Sequence, residues 1–434
     1  MTTQSSELPA KAWVVTWAGV VCNLCLGILY AWSVWKAVLV PRDQSLVGQT
    51  MRGLNEGWPY LTDFQGTVAY TIAALVFAIV MIPGGKIQDK YGPKAGATIG
   101  GLLLAIGCIV AGLMKSYTGL IIGFGILGGI GMGIGYAAPT PAALKWFGPH
   151  KRGMIAGLVV AGYGAAALYI APLAQYLIDN YGLSASFIYL GIFFAVVVVI
   201  AGQFLSVPPA GYVPPAAPLN TSAAAKPTTP TADWSPSEML SRWHYYALVL
   251  LFIGSAQSGL LIIANATPLL VTTSKGIPFF AEHIWLIASF GGLVNALGRV
   301  GTGMYSDKIG RSNAYLVNAI VAALCVLALP QIIAMKSVPL LFLAVAIAYW
   351  QYGGGLSLLP AFTADFFGSK NMGMNYGFVF LGWGIGGLMP LIAGYIKDVT
   401  QADNYNSSLY ISAAILIVAV LLCRVTRKPV KARE

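Results

Sequence analysis

Arg299 is a guanidinium set in IWLIASFGGLVNALGRVGTGMYSDKIGR, a stretch apolar and long enough to cross a bilayer. An arginine at the centre of a spanning helix costs roughly 2.5–3.5 kcal/mol on insertion scales, so it needs a partner. The sequence offers no obvious internal one. Among its fourteen Asp and Glu, Asp89, Asp307 and Asp365 fall at helix ends and the rest in loops, tails or outer margins. Arg299 therefore reads as the one formal charge inside a span, and a buried cation without a protein anion invites an anion from outside. The competing reading is an arginine that snorkels onto backbone carbonyls. Asn295 precedes Arg299 by one helical turn on the same face. It can bond a ligand's second oxygen or hold the guanidinium; an interhelical hydrogen bond is the alternative.

The elements that must position these groups are helices. With 57% apolar and 9% charged residues over 434 positions, and mean hydropathy +0.75, the chain cannot cover a soluble surface. Twelve apolar segments of about 20 residues, the length a bilayer core requires, run at 12–36, 60–83, 95–114, 118–143, 153–178, 184–207, 244–272, 281–304, 313–334, 338–363, 375–397 and 404–423. The first is too long for a signal-peptide core and lacks a cleavage site, so it reads as a retained helix.

The net charge of +11 is distributed as a topology signal, not a nucleic-acid site. With both termini cytoplasmic, inner segments hold seventeen Lys and Arg and outer ones seven, Arg299 completing the 25. This is the positive-inside asymmetry, and the tail RVTRKPVKARE reads as an anchor to anionic lipid. Cys22, Cys25, Cys108, Cys325 and Cys423 lie in apolar spans, against a disulfide framework. No span pairs histidines, and no nucleophile–base pair or metal cluster occurs within the spans. No enzyme, cofactor or metal site is therefore expected.

The chain divides in two. The one long polar break, PPAGYVPPAAPLNTSAAAKPTTPTADWSP, reads as a disordered cytoplasmic linker. It separates an N-terminal six-helix bundle (1–207) from a C-terminal bundle and basic tail (244–434), with the linker at 208–243. The halves repeat. Gly85-Lys-Ile-Gln-Asp89-Lys-Tyr-Gly92 follows the second span and Gly303-Met-Tyr-Ser-Asp307-Lys-Ile-Gly310 the eighth, while PTPAALKWFG and LPAFTADFFG close the fourth and tenth. Duplicated six-helix halves suit alternating access around a central site. The repeat also supplies a control: eight residues before Asp307 is Arg299, whereas eight before Asp89 is Met81. Folding of this helix does not demand a charge there.

The doubled G-x-x-x-D-K-x-G, in register, resembles the loop signature of the major facilitator superfamily. That resemblance implies an all-α membrane protein of twelve transmembrane helices in two pseudo-symmetric six-helix bundles. It makes Asp89, Lys90, Asp307, Lys308 and Arg311 conformational-latch residues at the cytoplasmic side, with Pro93 and Lys94 departing from the usual basic pair. WFGPHKRGMIAGLVVAGYG and NALGRVGTGMYSDKIGR further resemble the fifth and eighth helices of monocarboxylate transporters and bacterial oxalate/formate exchangers. The family's substrate-carboxylate arginine falls on Arg299. Its frequent aspartate falls on Asn295, which cannot titrate, and the lysine of many eukaryotic relatives falls on Val34.

In that fold Tyr136 and Tyr352 come from facing helices and can close over a ligand; Tyr30 and Tyr349 are further candidates, aromatic packing being the alternative for each. Asn265, Gln257 and Asn23 read as helix bridges. Dicarboxylate-handling relatives carry a lysine where this chain has Trp383, which favours a monovalent acid with a small apolar body. The reading is a secondary active transporter of a short monocarboxylate of the lactate or pyruvate type, proton-coupled, in the inner membrane, functional as a monomer and independent of nucleic acid. The alternative is formate/oxalate-type anion exchange without a proton, and after it a transporter-like nutrient receptor.

Overall fold

The computed structural model describes residues 9–147, 152–209, 211–212, 233–274, 277–368, 371–401 and 404–430. Ten stretches among them are long and apolar enough to cross a membrane. One is a double span: a kink at Gly182 (φ 85°) splits Arg152–Gly202 into α5 and α6. A further helix, Leu286–Ile309, falls outside the ten and carries Arg299, Asp307 and Lys308. The spans are thus α1 (Ala10–Leu39), α2 (Asp63–Tyr91), α3 (Pro93–Met114), α4 (Tyr117–Leu144), α5 and α6, α7 (Trp243–Thr273), α8 (Leu286–Ile309), α9 (Arg311–Ala334), α10 (Val338–Phe367), α11 (Met374–Thr400) and α12 (Asn406–Val425).

Local chemistry sets their ends. α2 starts on a capping box: the Thr62 hydroxyl accepts from Gln65 N–H while the Gln65 side chain accepts from Thr62 N–H, satisfying two orphan amides. The repeated loop motif ends on a glycine for a backbone reason. Gly92 and Gly310 both have φ 86°, with ψ 165° and 153°, a region essentially closed to residues with a Cβ. Each lets one helix stop and the next begin within a single residue.

α1 packs on α5, and α3 on α4 and α6, among the first six helices; α10 packs on α7, α8 and α9 among the last six. The two sets meet along α2/α11, α5/α8 and α1/α7. Shifting the numbering by six turns α2/α11 into α8/α5 and pairs α1 with α7, so the interface obeys the twofold relation written in the sequence repeat. Asn23 Nδ2 bonds Val159 O (2.8 Å) and Gln257 Nε2 bonds Ser412 O (2.9 Å), each a bridge between helices.

The polar break between the halves is pinned at both ends. Trp146 Nε1 donates to Ser206 O (2.8 Å) and Tyr212 OH to Trp146 O (3.0 Å). Across the repeat, Trp234 N–H donates to Phe367 O (3.0 Å), and Asn371 and Asn375 Nδ2 donate to Trp234 O. Its far end is ordered as a short helix, Pro236–Leu240, capped by Ser235. Residues 213–232, on which the expected disorder chiefly falls, lie outside the described set.

The loop motif yields a paired test. Gly310→Ala should destabilise the purified protein by about 1–3 kcal/mol through backbone strain. Gly303→Ala should be near neutral, because nothing lies within 4 Å of a Cβ placed there. Thermal melts in detergent check both; equal melting temperatures for the two variants would contradict the assigned role of Gly310.

Candidate functional site

Arg299 is 1% exposed, in the middle of α8 where it meets α5 and α1. Its Nε donates to Asn295 Oδ1 (3.2 Å), Nη1 to Val160 O of α5 (2.9 Å) and Nη2 to Tyr30 OH of α1 (3.0 Å). Among the described residues no carboxylate lies within ion-pair distance of it. The approach to α5 depends on Gly164: a Cβ there would stand 3.0 Å from Arg299 Nε. The AGYG of the α5 motif therefore has a steric meaning, since any larger residue would push the guanidinium off the Val160 carbonyl.

Tyr30 extends the network. Its hydroxyl bonds Tyr352 OH of α10 (2.7 Å), and Tyr352 OH accepts from Trp383 Nε1 of α11 (2.7 Å). Trp383 and Arg299 can only donate. Tyr352 accepts from Trp383 and Tyr30 from Arg299, and either phenol can donate in the bond between them. Whichever donates, the proton of the other phenol is left over. A guanidinium has five N–H groups, of which three are used here, and Asn295 Nδ2 has no partner. The site is rich in donors and poor in acceptors.

Aromatic rings close around it. Tyr30, Phe77, Tyr136, Tyr163, Phe380 and Trp383 line the space at Arg299, which admits no water-sized sphere. Tyr163 stands edge-on to Tyr30 and Tyr136, each 5.1 Å between ring centres, and Phe380 stacks on Trp383 at 5.2 Å. The structure thus gathers Arg299, Asn295, Tyr30, Tyr136, Tyr352 and Trp383 in one place. Tyr349 stands apart: it packs against Gly291 of α8 and its hydroxyl has no partner.

Phe77, Tyr163 and Phe380 were not singled out from the sequence, though the repeat held a signal. The offset from Asp89 to Asp307 maps Phe77 onto Asn295, as it maps Met81 onto Arg299. The offset from Phe147 to Phe367 maps Tyr163 onto Trp383 and Met132 onto Tyr352. The contacts repeat as well: Tyr163 OH reaches Met132 Sδ (3.5 Å) where Trp383 Nε1 reaches Tyr352 OH.

One expectation is overturned. Arg299 is not the only charge within a span, because Lys36, inside α1, is 0% exposed. Its Nζ bonds Asp63 Oδ1 (2.6 Å) and Asn265 Oδ1 (2.5 Å). Lys397 Nζ and Tyr405 OH bond the other Asp63 oxygen, at 2.6 and 2.7 Å. A lysine at the edge of an apolar segment and an aspartate at a helix start look solvated one by one; only the tertiary fold buries them against each other. Of the latch residues, Arg311 bonds the Ser306 hydroxyl and lies 3.8 Å from Asp365. Lys90 stands over the Tyr91 ring and Lys308 is exposed. The side chains of Asp89 and Asp307 lie outside the described set.

The family model of the Major Facilitator Superfamily matches residues 51–354, more than half of the chain. The chain belongs to this superfamily. It is a multi-pass membrane transporter and not an enzyme. It is 28% identical over 360 residues to the oxalate:formate antiporter of Oxalobacter formigenes, covering 82% of this chain and 80% of that one. It is 24% identical over 383 residues to the uncharacterized MFS-type transporter YhjX of Escherichia coli strain K12, covering 88% and 87%. Monocarboxylate transporter 12 of Rattus norvegicus is 24% identical over 361 residues, covering 78% and 72%. Among solved structures, the partially occluded inward open xylose transporter XylE from E. coli superposes with TM-score 0.66 at 13% identity, covering 95% of this chain and 98% of that one. That likeness shows the major facilitator fold.

If Arg299 serves a ligand and not the fold, removing it should leave the protein stable. Arg299→Met is expected to melt no lower than the parent, since deleting a buried charge without a counterion relieves its desolvation. Tyr30→Phe, which strands a buried guanidinium N–H, should cost about 1.5–3 kcal/mol. Melting curves of the two purified variants decide the order, and an Arg299→Met protein much less stable than Tyr30→Phe would make Arg299 structural.

Proposed function

We propose that this transporter carries a short monocarboxylate of the lactate or pyruvate type by alternating access, with Arg299 as the carboxylate anchor. The observation that carries the reading is the donor surplus around a buried guanidinium that has no carboxylate partner among the described residues. A carboxylate supplies what is missing, several acceptor lone pairs and one negative charge, and arginine can grip it with two parallel bonds. Asn295 and Tyr30 hold the guanidinium and offer further donors, and Tyr136, Tyr352 and Trp383 complete the wall. Trp383 is spent as a donor on Tyr352 and adds no second cation, which favours one carboxylate with a small apolar body. Superfamily membership supports alternating access, and the distribution of Lys and Arg supports an inner-membrane orientation with cytoplasmic termini.

Radiolabelled lactate uptake into proteoliposomes tests the reading. Arg299→Ala and Arg299→Lys should both lose uptake by at least about 100-fold, the second because a point charge cannot reproduce a planar fork. Unlabelled pyruvate should compete, whereas oxalate and succinate should compete poorly. Wild-type rates in a folded Arg299→Ala protein would remove the anchor.

Anion exchange is the second reading, favoured by the likeness to the oxalate:formate antiporter. An imposed inward proton gradient should accelerate uptake; insensitivity to it, with strong stimulation by internal monocarboxylate, would establish exchange instead. Asn295→Asp sharpens the test. A carboxylate placed against Arg299 is held ionised and pairs with it, blocking the anchor at neutral pH. Uptake by this variant should therefore fall at neutral pH, where the parent has no such group.

A further inference from the structure

The Lys36–Asp63–Lys397 cluster lies at the opposite end of the helices from the repeated loop motifs, and it is built from both halves. Lys36 and Asp63 come from α1 and the start of α2; Asn265, Lys397 and Tyr405 come from α7, the end of α11 and the turn before α12. The Asp63 carboxylate is fully engaged, Oδ1 by Lys36 and Oδ2 by both Lys397 and Tyr405. With the halves together Asp398, which travels with Lys397, bonds none of these donors. Its carboxylate accepts from the N–H groups of Asp63 and Phe64 at the start of α2.

The division between halves decides what happens when they part at this end. Lys36 and Asp63 travel together and stay paired. Lys397 and Tyr405 leave together, held by the ammonium 4.8 Å over the Tyr405 ring. They then form a cation and a phenol that had converged on a single carboxylate oxygen, with that oxygen gone. Lys397 is 21% exposed even when closed, against 0% for Lys36, so it is the member that incoming solute meets first.

The route inward is marked on α1. Tyr30, Ser33 and Lys36 recur every three residues, and each bonds the second half: Tyr30 to Arg299 and Tyr352, Ser33 to Thr267 (3.1 Å), Lys36 to Asn265. Six residues of helix put the cluster about 9–12 Å beyond the phenol that touches Arg299.

We propose that Lys397 and Tyr405 form an entry station for the substrate's carboxylate, which takes the place of the Asp63 carboxylate on them before moving on to Arg299. Asp63 is then a built-in stand-in for the substrate: it satisfies these donors when the gate is shut and yields them to a solute anion when it opens. The station rests on the carboxylate reading of the transporter given above.

The test is lactate uptake by right-side-out and inverted membrane vesicles carrying the full-length protein. Lys397→Gln should raise KM about tenfold, the worth of one hydrogen bond to a charged group, only in the orientation presenting the Lys397 face. KM at the opposite face serves as the fold control and should be unchanged. Lys397→Arg keeps a cation and should restore the parent KM to within about threefold. Tyr405→Phe removes only the hydroxyl and should shift KM in the same direction, by less. A cluster that merely locks the gate gives the opposite sign, because losing the lock exposes Arg299 more often and lowers KM at that face. An unchanged or lower KM in Lys397→Gln therefore overturns the station alone. Absence of lactate uptake by the parent vesicles overturns the transport reading and the station with it.

Discussion

A guanidinium buried among aromatic rings, with no carboxylate partner among the described residues, is the constraint to which the centre of this transporter is fitted. Arg299 has to be held in place by neutral oxygens, and three helices supply them: Asn295 from its own, the Val160 carbonyl from α5, the Tyr30 hydroxyl from α1. Neutral acceptors soften the cost of burying the charge but leave its field uncancelled. The α5 glycine that admits the guanidinium, the chain of hydrogen bonds through Tyr30 and Tyr352 to Trp383, and the ring of aromatics all follow from that need. The charge is carried at a cost in desolvation that these neutral contacts only partly offset.

The duplicated architecture shows how such a site arises. Met81 and Phe77 occupy in the first half the places of Arg299 and Asn295 in the second; Met132 and Tyr163 occupy those of Tyr352 and Trp383. The first half carries two thioethers, a phenyl ring and a phenol where the second carries a cation, an amide, a phenol and an indole. The fold holds both sets in equivalent positions. The cation and amide lie on α8, a phenol on α10 and an indole on α11, while the first half presents Tyr30, Tyr136 and rings that pack against them.

Much of this was legible in the sequence because membrane spans are written in uninterrupted apolar runs and the halves in repeated motifs. Arg299 and Asn295 stood out because a charge and an amide are rare in such runs. Tyr136, Tyr352, Tyr30 and Trp383 came from helix pairing and family likeness, and the structure brings all four to Arg299. Tyr349 shares α10 with Tyr352 but faces Gly291, a difference of helical phase that spacing alone did not resolve. Lys36, Asp63 and Lys397 were passed over for a physical reason. Each lies at the margin of a segment, where charges are ordinary, and three distant stretches of chain must fold before any of them is buried.

The tightness of the aromatic packing has an electrical consequence. With no room for a water-sized sphere beside Arg299, the packed rings leave no place for a file of hydrogen-bonded water to pass the guanidinium in this conformation. Protons hop along such files, and the membrane potential pulls each charge with about 2.3 kcal/mol per 100 mV. The rings of Phe77, Tyr163, Phe380 and Trp383 therefore act as insulation. They keep water from the guanidinium in this conformation, which bars proton hopping past it.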